Sequence, residues 1–152
     1  MRRRIPKQTD LFSPLTDHEQ ARELAEIDKI IIANPDWEAW VHADLTKGVD
    51  ATLGRDGMPA DQVLRVRVSQ ARWNVSLRKF AVLFADSLST REFVGLGPAE
   101  LAPKYATLQE NLAKVQPETW GRILKALVTS DEAREIETGE KVRVDATVTE
   151  SN

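Results

Sequence analysis

Residues 60–94 read ADQVLRVRVSQARWNVSLRKFAVLFADSLSTREFV, and the periodicity of this stretch decides the fold class. Leu64, Val68, Ala71 and Val75 fall within about 60° of one another on a helical wheel, an apolar seam that predicts a helix from about 60 to 74. Gln62, Arg65, Ser69 and Arg72 lie on the opposite side. Arg67 falls at the rim of the seam, where its stem packs while its charged head reaches out. Ser76 is placed to cap a second helix with the stripe Leu77, Phe80, Ala81, Phe84 and Leu88. Ser89-Thr90-Arg91-Glu92 has capping-box spacing and opens a short helix with Phe93 and Val94, stopped by Gly95 and Gly97. Three short helices with tight turns predict a helix-turn-helix arrangement.

Upstream, Thr16-Asp17-His18-Glu19 is a second capping box, and Leu24, Ile27 and Ile31 recur at helical spacing, which predicts a helix from about 17 to 33. Asn34 closes it. Pro35 suits the first turn of a second helix with the stripe Trp37, Trp40, Val41 and Leu45, ended by Lys47-Gly48, so the pair predicts an antiparallel hairpin. Gly48, Gly54, Gly57 and Pro59 mark the intervening loop as the best internal boundary. Downstream, Tyr105, Leu108, Leu112 and Val115 form another stripe, and Pro117 starts a helix carrying Trp120, Ile123, Leu124, Leu127 and Val128 that continues to about 136. Beyond Gly139 the period changes from 3.6 to 2: Val142, Val144, Ala146 and Val148 alternate with Arg143, Asp145, Thr147 and Thr149, the pattern of a strand. One strand cannot satisfy its own backbone groups. It is read as the opening of an unfinished domain, in a chain cut short at its carboxy terminus.

The expected fold is therefore mainly α: a helical bundle with a helix-turn-helix-like segment, then a single carboxy-terminal β-strand. Four regions follow: a basic arm and helical hairpin at 1–50, the helix-turn-helix-like segment at 51–100, connecting helices at 101–138 and the lone strand at 139–152.

The composition removes several chemistries. The 152 residues contain no Cys and two His, His18 and His42, which excludes thiol catalysis, Cys-ligated zinc and a multi-histidine metal site. Carboxylates are the plentiful catalytic type. No apolar run approaches the roughly 20 residues of a membrane-spanning helix, and Pro6, Lys7 and Gln8 stand where a signal peptide would be apolar, so a cytoplasmic protein without a membrane partner is expected. The net charge of −3 conceals segregation. Arg2, Arg3, Arg4 and Lys7 occur without acids at the amino terminus, and so do Arg65, Arg67, Arg72, Arg78 and Lys79 between residues 62 and 85. Acids concentrate at 17–28 and 131–140. Because nucleic-acid binding depends on local clusters of cations rather than on their sum, the acidic total does not argue against such a partner.

The run Gly54-Arg55-Asp56-Gly57-Met58-Pro59-Ala60-Asp61-Gln62-Val63-Leu64-Arg65 continues through Ser76-Leu77-Arg78-Lys79-Phe80 to Ala85-Asp86-Ser87-Leu88-Ser89 and Phe93. It resembles the amino-terminal domain of bacterial insertion-sequence transposases of the ISNCY type. The terminal Val142-Arg143-Val144-Asp145-Ala146-Thr147-Val148-Thr149-Glu150-Ser151-Asn152 is similar to the first catalytic strand of the same proteins. With Asp10-Leu11-Phe12 and the hairpin, the resemblance spans nearly the whole chain. It implies a DDE transposase acting in DNA transposition, whose RNase H-like domain holds two divalent cations, Mg or Mn, on three carboxylates; the metals activate the attacking hydroxyl and stabilise the leaving oxygen.

Only the first carboxylate has a match, Asp145. As a catalytic and metal-ligating residue it is expected to be vestigial, holding metal only in the complete protein, with no cofactor in this chain. The resemblance further implies double-stranded DNA of the element's terminal inverted repeats as partner, and self-association or pairing with intact transposase. Arg2, Arg3, Arg4, Arg65, Arg72, Arg78 and Lys79 are the residues expected to neutralise DNA phosphates. The alternative is a helical DNA-binding or protein-interaction module that regulates transposition by competition, and the plainest reading of the basic residues is an ordinary solvated face. Trp37, Trp40 and Trp120 fall on stripes and read as core, whereas Trp73 lies off its seam and is a candidate for DNA or partner contact. His18 and His42 read as ordinary.

Overall fold

The computed structural model describes residues 18–48 and 57–129, with side chains to residue 126. The basic arm with Arg2, Arg3 and Arg4, most of the glycine-rich loop, the acidic 131–140 run and the predicted strand with Asp145 lie outside the described residues. Within them the protein is mainly helical, with seven helices: α1 (Glu19–Ala33), α2 (Pro35–Thr46), α3 (Ala60–Trp73), α4 (Leu77–Asp86), α5 (Leu88–Val94), α6 (Tyr105–Lys114) and α7 (Pro117–Thr129).

Local chemistry sets the helix ends. His18 caps α1, its Nδ1 accepting from the Ala21 N–H at 3.2 Å. The Asn34 side chain donates to the Ile30 carbonyl at 2.8 Å as α1 ends, and Pro35, whose missing N–H costs nothing in a first turn, starts α2. Asn74 ends α3 in the left-handed region at φ 50, a conformation Asn tolerates through its short polar side chain. Ser76 then caps α4, its Oγ accepting from the Lys79 N–H at 3.3 Å. The cap of α5 is Ser87 rather than the Ser89 of the expected box; its Oγ accepts from the Thr90 N–H at 3.2 Å, and Ser89 is buried in the first turn. Gly95, at φ 77, closes α5 with a paired return, Gly95 N–H to Glu92 and Leu96 N–H to Arg91. α7 is capped from elsewhere in the chain: Asp44 of α2 accepts from the Gln116 N–H at 2.9 Å and from Thr119 Oγ1 at 2.5 Å.

α3 is the central element, with α2, α4, α5 and α6 packed around it. This corrects the one-sided seam expected for it. Ala60, Val63, Leu64, Val66 and Ser69 are buried, whereas Ala71 is exposed and Val68 and Val75 are only half-buried. A single apolar stripe describes a helix covered by one layer; α3 is covered from several directions, so its burial runs around the axis in the first turns. The expected hairpin is likewise corrected. Only Asn34 separates α1 from α2, and α1 packs chiefly on α5 while α2 packs chiefly on α3. Phe80 and Phe84 of α4 are fully buried and stack with centroids 5.7 Å apart. Trp37 is buried, and Trp40, Trp120 and Trp73 pack at the edge of the same core, so Trp73 does not stand free of it.

Candidate nucleic-acid interface

Four of the cations expected to meet DNA lie within the described residues, and the fold separates them into two pairs. Arg65 and Arg72, seven residues apart on α3, face α1. Arg65 is 4% exposed, which corrects its expected place on a solvated face. Its Nε donates to both Asp61 oxygens, at 2.8 and 2.9 Å, and its Nη1 to Asp28 of α1 at 2.5 Å and to the Phe93 carbonyl of α5 at 3.0 Å. The guanidinium carbon also lies 5.1 Å from the centre of the Phe93 ring. Burial works against this charge, but the charge and hydrogen bonds of Asp61 and Asp28 outweigh it, so the pKa of Arg65 is raised above its ordinary value. The side chain is a charged joint between three helices and is not available to a phosphate.

Arg72 is half-buried and pairs with Glu23, also of α1. The acidic segment at 17–28 thus supplies partners to two cations of the basic segment at 62–85, and the segregation of charge along the sequence is partly undone in space.

The second pair belongs to α4. Arg78 and Lys79 are exposed in its first turn, and Val82, Ala85 and Asp86 continue the same exposed face, opposite the buried Phe80 and Phe84. The Arg78 guanidinium lies 4.6 Å from the centre of the Tyr105 ring at the start of α6, and Lys104 stands exposed beside Tyr105 in the chain. Arg67 is exposed as well. Its Nη1 donates to Gln70 at 2.9 Å, and Gln70 donates in turn to the Val75 carbonyl at 3.3 Å in the α3–α4 turn. Among the described residues, none of Arg67, Arg78, Lys79 and Lys104 has a carboxylate at ion-pair distance.

Two further arginines matter that sequence reasoning did not single out. Arg91 is buried and donates to the carbonyls of Ala85, Gly97, Pro98 and Glu100, fixing the loop after α5, and the Glu100 carboxylate accepts from the Gly97 N–H at 2.6 Å. Arg122 of α7 lies 3.9 Å from the centre of a Trp40 ring. No spacing rule reports either: the partners of Arg91 are backbone carbonyls six to nine residues away, and Trp40 reaches Arg122 from another helix.

His18 is used as a cap and His42 is exposed. Among the described residues, no three His, Asp or Glu converge as a metal-holding group, and no helix is long and apolar enough to cross a membrane. Asp145 lies outside them. Comparisons with protein-family models, with curated proteins and with solved structures find no match to this chain.

Proposed function

We propose that this chain is the DNA-binding amino-terminal region of a DDE transposase, acting in transposition of an insertion sequence. The observation that carries the DNA part of this reading is the first turn of α4, where Arg78 and Lys79 are exposed without a carboxylate partner among the described residues. α4 follows α3 after three residues, Asn74, Val75 and Ser76, with Asn74 left-handed. A helix-turn-helix reader needs such a tight turn and an exposed second helix whose first residues are polar or cationic. Cations that keep no acid of their own gain most from a phosphate, because each contact releases condensed counterions from the duplex. The transposase part rests on the resemblance of residues 54–93 and 142–152 to ISNCY-type proteins. One matching carboxylate, Asp145, does not make a two-metal site, so the reading assigns DNA binding and no catalysis to these residues by themselves.

The partner in this reading is the duplex at the element's terminal inverted repeats, with self-association or pairing with an intact transposase as the protein contacts. A salt titration of the purified chain on the inverted-repeat duplex and on a scrambled duplex of equal length tests it. Tighter binding to the repeat, weakening steeply with salt, is the expected result. Equal binding to both duplexes removes end recognition, and the absence of binding to either leaves a protein-interaction module whose basic face meets acidic partners.

A further inference from the structure

We propose that Arg78 is the residue of α4 that reads a base, a guanine in the major groove, while Lys79 holds a phosphate. This rests on the DNA-binding reading above and adds to it a division of labour between two adjacent cations. The two side chains differ in what surrounds them. Arg78 lies on the Tyr105 ring at 4.6 Å, and Tyr105 is itself half-buried where α6 packs on α4. A guanidinium resting on an aromatic face gives up little further freedom on binding, and its planar fork of donors matches the O6 and N7 acceptors of guanine. Lys79 is exposed, without a ring or carboxylate beside it among the described residues, and its ammonium is a flexible point charge suited to a phosphate oxygen.

The rest of the exposed face is consistent with one forked contact. Val82, one turn beyond Arg78 and 63% exposed, has no side-chain donor, nor has Ala85. Asp86, at the end of the helix, only accepts. Arg78 alone on this face therefore combines two or more fixed donors with a platform that orients them. Tyr105 acts as a positioning residue: its ring orients Arg78 without itself meeting the base.

The test is selection from a pool of duplexes with a randomised core, carried out with the whole chain and with variants whose fold is verified by circular dichroism. The native chain is expected to enrich a motif containing a strongly preferred guanine. Arg78→Ala is expected to keep the rest of the motif and to lose preference at that one base pair by about 10- to 100-fold. Arg78→Lys loses most of the same preference, because an ammonium cannot fork. Tyr105→Ala weakens preference at the same position, and Tyr105→Phe, which keeps the ring, restores it. Lys79→Ala weakens all sequences by a common factor and makes the salt dependence shallower by about 0.9 in the exponent. A native motif that survives Arg78→Ala unchanged, with binding lowered uniformly, overturns base reading by Arg78 and leaves DNA binding standing. Failure of the native chain to bind any duplex overturns both.

Discussion

The α1-facing side of α3 and the exposed face of α4 carry similar cations six to fourteen residues apart in the same acid-free stretch, yet the fold surrounds them differently. Arg65 and Arg72 meet Asp28 and Glu23 on α1, together with Asp61 on α3 itself. Arg78 meets an aromatic ring, and Lys79 meets solvent. Charge density along a sequence counts cations, whereas binding depends on the charge left after the fold has paired them. The first pair holds helices together, and the second stays without a carboxylate partner among the described residues.

That contrast can be broken by substitution. The largest loss of stability is expected for Arg65→Ala, about 3 kcal/mol, because it removes a buried guanidinium that joins α1, α3 and α5 and takes from Asp28 and Asp61 the cation they share. Urea unfolding measures it, and a loss below about 0.5 kcal/mol would show that the joint is not structural. A raised arginine pKa adds stability that is fully present below the ordinary arginine value and is lost only as pH climbs through the higher folded value. Arg65 should therefore contribute no transition of its own between mildly acidic and mildly alkaline pH, which urea midpoints measured across that range will check.

Asp44→Ala ranks next, at about 1 kcal/mol, through loss of the cap on α7, and hydrogen exchange should quicken first at Gln116 and in the turn after it. Glu23→Gln is worth less, between about 0 and 1 kcal/mol, because the pair is partly exposed. It also frees Arg72, so a small rise in non-specific duplex affinity would show that α1 shields this cation, and an unchanged affinity would place Arg72 beyond reach of the duplex. The smallest change in stability, within about 0.5 kcal/mol, is expected for Arg78→Ala combined with Lys79→Ala. The same double variant should make the salt exponent for duplex binding shallower by about 0.9, the one phosphate contact assigned to Lys79. A change in melting without a change in salt exponent would reverse the roles assigned to the two regions.

The helices were legible where the signal is local. Pro35 and Pro117 open helices, Ser76 caps one, and Asn34 and Gly95 close two, because the groups that decide each end lie within a few residues. α3 was legible in extent but not in its burial, since a wheel assumes one covering layer and four helices surround this one. Arg65 was misplaced for the same reason: its Asp28 partner is 37 residues away and no spacing rule connects them. Asp61 stood four residues from it, a local sign that a carboxylate was within reach. Arg78 and Lys79 were legible as exposed because α4 has a clean amphipathic period, but the Tyr105 ring beneath Arg78 comes from another helix.

The capping of α7 by Asp44 has a mechanical consequence. Arg122 touches Trp40 on the same α2 that carries Asp44, so α7 is bolted to α2 at two places along its length. A rod fixed at two points cannot swivel about either, and its heading is set by its mount. The direction in which α7 runs, from Pro117 to Thr129, is therefore set by α2.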